Sequence, residues 1–180
     1  MSFILPLGFF IASIGTCLFV SNTIYADPHH IRDPIHMYFP RVNYKYLSDI
    51  LITLQMSLLT FTITKVLLKE FFIVCGIIQF MRAITMSSTI LPSLEHHNDK
   101  IRLGGLNGRG TEYIFSGHAV YACLSLIYLY KMGIVKLPIL IIYNLISQLI
   151  IILSRNHYTV DVILSWMITP LVYGNVIQYL

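Results

Sequence analysis

Hydrophobic residues crowd into six stretches of the chain, at about 2–24, 50–68, 71–91, 114–130, 137–153 and 162–179, with most polar residues gathered between them. Each stretch is near the roughly 20 residues that carry a helix across ~30 Å of hydrocarbon at ~1.5 Å per residue. No long stretch alternates with period two, so the pattern does not suit a membrane barrel. A helical bundle is the other way to satisfy every backbone N–H and C=O in lipid. The least clearly divided part is 139–169, which holds neither Gly nor Pro and is too long for one crossing. A polar island, Ser154-Arg155-Asn156-His157, places the turn there. The expectation is an all-α membrane protein, a six-transmembrane-helix bundle forming one domain over residues 1–180.

Composition agrees. Hydrophobic residues make up 56% of the 180 and charged residues 11%, against about 25% charged in an ordinary soluble domain. So few charges cannot cover a soluble monomer. The net charge of +4 raises the question of nucleic acid. The twelve Lys and Arg are scattered without a run of three, so no phosphate-tracking stripe forms and no nucleic-acid partner is expected. Cys17, Cys75 and Cys123 lie far apart in apolar runs and make neither a disulfide framework nor a zinc pattern. The first stretch could end as a leader at Ala26, but it lacks a basic start and has Ile24 where a small residue is wanted; it reads as a span.

Two connections are long, 25–49 and 92–113, and those near Lys69 and Met132 are short. Counting crossings puts both long loops and the polar island on one face of the membrane. On the other face stand Lys65, Lys69, Lys131 and Lys136, against seven Lys and Arg on the loop side. By number the positive-inside rule would turn the loop side inward, but it is weak for loops this long. In the first loop His29, His30 and His36 with Asp27 and Asp33 match no tight metal spacing, and no metal is expected. The glycines between Gly104 and Gly110 are not followed by Gly-Lys-Ser/Thr, so they form no phosphate-binding P-loop.

The chemistry concentrates in Ser116-Gly117-His118 and His157-Tyr158-Thr159-Val160-Asp161. His157 and Asp161, four apart, share a helix face, so the carboxylate can hold the imidazole. By parity His118 and His157 reach the same membrane surface. Two histidines and a carboxylate at one depth suffice for a nucleophile, an acid/base and an orienting group. Arg155, two residues before His157, is a candidate for binding phosphoryl oxygens. Arg82 stands mid-stretch on a polar stripe with Gln79, Thr85 and Thr89. An Arg so deep costs about 2.5–3.5 kcal/mol on insertion scales; it suits a substrate-binding or site-supporting role, or an ion pair with Glu112.

The motif Phe-Ser-Gly-His at 115–118 with His-Tyr-Thr-x-Asp-Val at 157–162 resembles the sphingomyelin synthase family of the lipid phosphatase/phosphotransferase superfamily. Trp166 and Tyr173 fall at that family's aromatic positions, and Arg82, Thr89, Leu91 and Pro92 match its third-span signature. The likeness covers about 33–173. The chain departs from it at Gly110-Thr111-Glu112, Ala119, Lys69-Glu70 and Val176-Ile177, and shows only Asp33-Pro34 of the first-loop signature. The resemblance implies six helices and transfer of a phosphocholine-type head group from a glycerophospholipid to ceramide, with ethanolamine phosphate or inositol phosphate as the alternative head group, and no cofactor. His157 would be the nucleophile, Asp161 its orienting carboxylate and His118 the acid/base. Ser116, Tyr158, Glu112, Arg82 and Arg155 would bind the substrate. It implies a Golgi or plasma-membrane enzyme with its site on the lumenal or extracellular face, and leaves room for a homo-oligomer.

Two other functions fit parts of the pattern. A lipid phosphate phosphatase would resolve the phosphohistidine with water, but its Lys-x6-Arg-Pro and Ser-Arg-x5-His motifs are missing. A proton-conducting bundle would use His118, His157 and Asp161 as a relay, yet it calls for ionisable residues at several depths, and only Arg82 lies deep.

Overall fold

The computed structural model describes residues 3–23, 32–41, 46–89 and 114–180, and all the regular secondary structure among them is helical. In chain order the helices are α1 (Ile4–Thr23), α2 (Pro34–Tyr38), α3 (Leu47–Thr62), α4 (Lys65–Ser88), α5 (Gly117–Lys131), α6 (Leu137–Leu153) and α7 (Thr159–Ile177).

The helix starts follow from local chemistry. Asp33 caps α2, its carboxylate accepting the Ile35 and His36 N–H groups ahead of Pro34 at the first position. Ser116 caps α5, its hydroxyl accepting Ala119 N–H at 3.2 Å. Thr64 caps α4 by accepting Leu67 N–H at 3.4 Å. This last cap corrects one expectation. The break between the second and third apolar stretches lies at Ile63-Thr64 rather than near Lys69, which sits inside α4. Thr62-Ile63-Thr64 is too apolar to stand out by hydropathy, but its β-branched side chains suit the extended backbone found at Ile63 and Thr64. The polar island does separate α6 from α7, with α6 ending at Leu153 and α7 beginning at Thr159.

α5 is the central element, packed against α3, α4, α6 and α7, while α1 lies along α4. Val74, Cys75, Ile78, Val120, Leu124, Tyr128 and Leu129 form the middle of the core. Polar side chains share this interior with the apolar core, and large apolar ones cover much of the outside. Gln55, Gln79, Ser125, Asn144, Ser147, Gln148, Ser165 and Thr169 are buried, while Ile139, Ile142, Leu145, Ile146 and Leu149 of α6 are exposed. Among the described residues, α7 alone is both long and apolar enough to cross a membrane; Ile4–Val20, Leu47–Thr62 and Leu137–Leu153 are shorter apolar helices. One end of the bundle carries the starts of α3, α5 and α7 with α2; Glu70 and Lys131 pair at 2.6 Å away from that end.

Candidate active site

The start of α5 is built by a tight turn. Phe115 has φ 79°, a left-handed backbone that is unusual for a bulky residue. The turn is tied on both sides: Arg82 Nε donates to the Phe115 carbonyl at 2.8 Å, and Ser116 N–H donates to the Asp161 carbonyl at 3.4 Å. His118 follows in the first turn of α5.

The α6–α7 connection delivers the second histidine. Arg155 takes a left-handed φ of 56°, so the chain reverses and leads through His157 into Tyr158, the cap of α7. Asp161, fully buried, turns back so that its Oδ2 accepts Tyr158 N–H at 3.0 Å. The same oxygen lies 3.8 Å from His157 Nδ1. α2 straps this connection from outside. Asp33 accepts Thr159 N–H at 2.6 Å and Thr159 Oγ1 at 2.7 Å. His36 Nε2 lies 3.0 Å from the Ile152 carbonyl, and Arg155 Nη2 donates to the His36 carbonyl at 3.0 Å. Burial would raise the Asp33 carboxyl, but hydrogen bonds from Thr159 and His36, with the His36 charge, outweigh it and hold the carboxyl below the ordinary aspartate range.

The two histidines meet between these starts. His157 Nε2 lies 3.4 Å from His118 Nδ1, with ring centroids 5.5 Å apart and the planes tilted by 60°. Their surroundings differ. The His157 side chain is 8% exposed and backed by a carboxylate that is 0% exposed, while that of His118 is 37% exposed. The other His118 nitrogen, Nε2, meets Asp49 Oδ1 at 2.7 Å. The arrangement is thus two histidine–carboxylate pairs face to face, one buried and one open. At 2.7 Å Asp49 can fix the tautomer of His118, whereas Asp161 stands from His157 Nδ1 at 3.8 Å, an ion-pair distance beyond hydrogen-bond reach.

His118, His157 and Asp161 therefore come together, but His157 does not share a helix face with Asp161 as the spacing predicts: it lies in the connection before the Tyr158 cap, and Asp161 approaches it from the first turn of α7. Arg82 donates to the Phe115 carbonyl ahead of α5, and Arg155 to the His36 carbonyl of α2. The Ser116 hydroxyl is taken up in capping α5, and the Tyr158 ring is buried in stacking contact with His36 at 6.3 Å. Glu112, the Arg82–Glu112 pair, His29, His30, Asp27 and the glycine-rich run lie outside the described residues. Asp49 was missed. It stood at the end of a loop in the sequence, and only the packing of α3 on α5 reveals its partner. Its signal was a single carboxylate in the first turn of an apolar helix, on the surface that parity assigned to both histidines.

This end of the bundle gathers two histidines and two carboxylates from α3, α5, the α6–α7 connection and α7. Residues 111–179, spanning α5–α7 with His118, His157 and Asp161, match the family model described as PAP2 superfamily C-terminal. That match supports the lipid phosphatase/phosphotransferase superfamily, whose members are enzymes. No curated protein matches the chain.

Proposed function

We propose that the chain is a multi-pass membrane enzyme that transfers a phosphocholine-type head group from a glycerophospholipid to ceramide or a related lipid alcohol. In this reading the six long helices form one domain over 1–180, with a sphingomyelin synthase-like core at about 33–173. The many exposed large apolar residues, with buried polar side chains paired inside, support lipid as the solvent. The observation that carries the chemistry is His157 Nε2 lying 3.4 Å from His118, with Asp161 behind its other nitrogen.

In the first displacement Asp161 accepts the His157 Nδ1–H, leaving the Nε2 lone pair to attack phosphorus. The N–P bond forms as the P–O bond to diacylglycerol breaks, and His118 gives its proton to the departing oxygen. In the second, His118 takes the proton of the acceptor hydroxyl, whose oxygen attacks phosphorus and releases His157. One group acts as acid and then base because the two steps mirror each other. Catalytic hydrogen bonds that are long before the reacting complex forms commonly tighten in it, which suits the 3.8 Å approach of Asp161 to His157.

The superfamily match fits a phosphatase equally well, with water replacing the acceptor alcohol. Full-length protein in liposomes, given phosphatidylcholine and fluorescent ceramide, separates the two. We expect a ceramide-linked product from wild type and none above background from His157→Ala, with Asp161→Asn reduced by about 10²–10⁴-fold. Wild-type release of phosphocholine or phosphate without the acceptor product would replace transfer with hydrolysis. Unchanged rates in both variants would refute the histidine mechanism.

A further inference from the structure

Arg82 approaches the site from α4, and its contacts run to the backbone that carries His118. Its Nε donates to the Phe115 carbonyl at 2.8 Å. Its guanidinium also covers the α carbon of Gly117, where a Cβ would meet Nη1 at 3.4 Å, Cζ at 3.5 Å and Nη2 at 3.8 Å. Between these contacts lies the turn with the least comfortable backbone at the site, Phe115 at φ 79°. A bulky side chain holds that conformation only where its surroundings enforce it. The next residue, Ser116, is bonded to the Asp161 carbonyl and caps α5. One short turn therefore joins the start of the helix bearing His118 to the start of the helix bearing Asp161, and the Arg82 guanidinium braces it from a third helix.

The geometry points to Arg82 as a positioning residue: by clamping the Phe115-Ser116-Gly117 turn it sets the separation of His118 from His157. Its effect on rate rests on reading those histidines as the reacting pair; its effect on their separation does not. Lysine cannot substitute, since an ammonium has neither the fixed Nε–H nor the flat face that lies on Gly117. An alanine methyl at 117 would rest in ordinary contact with the guanidinium, whereas the branched side chain of valine would lift it away.

Two measurements on the full chain in membranes test this. In the first, cysteines replace His118 and His157 and are joined with a short bifunctional thiol reagent. Efficient coupling with Arg82 present should fall several-fold when Arg82→Lys or Gly117→Val is added. Coupling that does not change would overturn the clamp, whether or not the chain proves to be an enzyme. In the second, Arg82→Ala, Arg82→Lys and Gly117→Val in the otherwise native chain should lower kcat about 10- to 10²-fold with the donor KM held within about twofold, as a misplacement near 1 Å does. Gly117→Ala should be less affected than Gly117→Val. A raised KM with kcat retained, or full activity in Arg82→Lys, would assign Arg82 to the phosphate instead. An inactive wild type would count against the proposed enzyme function, and the coupling measurement would still decide the clamp.

Discussion

His118 shows how much a single contact can decide. Its Nε2 faces Asp49 at 2.7 Å and its Nδ1 faces His157. If the carboxylate accepts the Nε2 proton, Nδ1 becomes the nitrogen that exchanges protons with the site, and the imidazolium formed in turnover gains a compensating charge. A hydrogen bond to a charged group contributes about 1.5–3 kcal/mol. Asp49→Asn, which offers a donor as readily as an acceptor and no charge, should therefore lower kcat by about 10–10²-fold, since each 1.36 kcal/mol is tenfold. Steady-state kinetics over a pH series would check this, with a changed pH profile marking a role on His118 rather than on folding. Wild-type kcat in Asp49→Asn would remove Asp49 from the mechanism. The contrast with Asp161 explains what was legible. His157 and Asp161 are four residues apart, so the pair is legible from short sequence spacing, although His157 lies just before the Tyr158 cap and Asp161 reaches it from the first turn of α7 rather than along a shared helix face. Asp49 and His118 are 69 apart, and only the packing of α3 against α5 joins them.

Among the elements, α2 has the largest effect for its size. Five residues long, it contributes Asp33 to the start of α7 and His36 to the end of α6. Asp33→Asn should weaken the tie to Thr159 by about 1–3 kcal/mol, the cost of unsatisfied buried partners. The loss should appear as a lowered Tm and faster hydrogen exchange at the Thr159 amide. The pH dependence has a definite sign. The folded Asp33 carboxyl lies below its ordinary value of 3.8, so its stabilisation is complete above that value and disappears as pH falls through the lower, folded one. Wild type should lose this tie only in that acid window, and Asp33→Asn should lack the corresponding step. A matching acid step in the variant would mean that other carboxyls produce it. Element ends were readable where caps or polar residues mark them, as at Leu153, where the expected stretch and α6 end together. The Ile63-Thr64 break was hidden because hydropathy does not fall there, and α2 because a single turn leaves no periodic trace.

At the scale of the whole molecule, poverty of charge pointed to a lipid solvent, and the placing of the exceptions pointed to the end where His118 and His157 meet. The all-helical architecture followed from apolar stretch lengths, and the shared end of His118 and His157 followed from counting crossings. Neither argument could reveal the second histidine–carboxylate pair, the turn clamped from α4 or the strap over the α6–α7 connection, because each depends on helices meeting across the bundle. All three bear on the same quantity, the relative placement of two imidazoles. The most direct test of their joint purpose is a rapid-quench experiment with phosphatidylcholine labelled in its choline phosphate. We expect a transient, acid-labile label on the His157 peptide, equal in amount to the diacylglycerol released and passing to ceramide when that is added. Label that persists in His157→Ala, or diacylglycerol released from wild type with no label on the protein, would contradict transfer through His157.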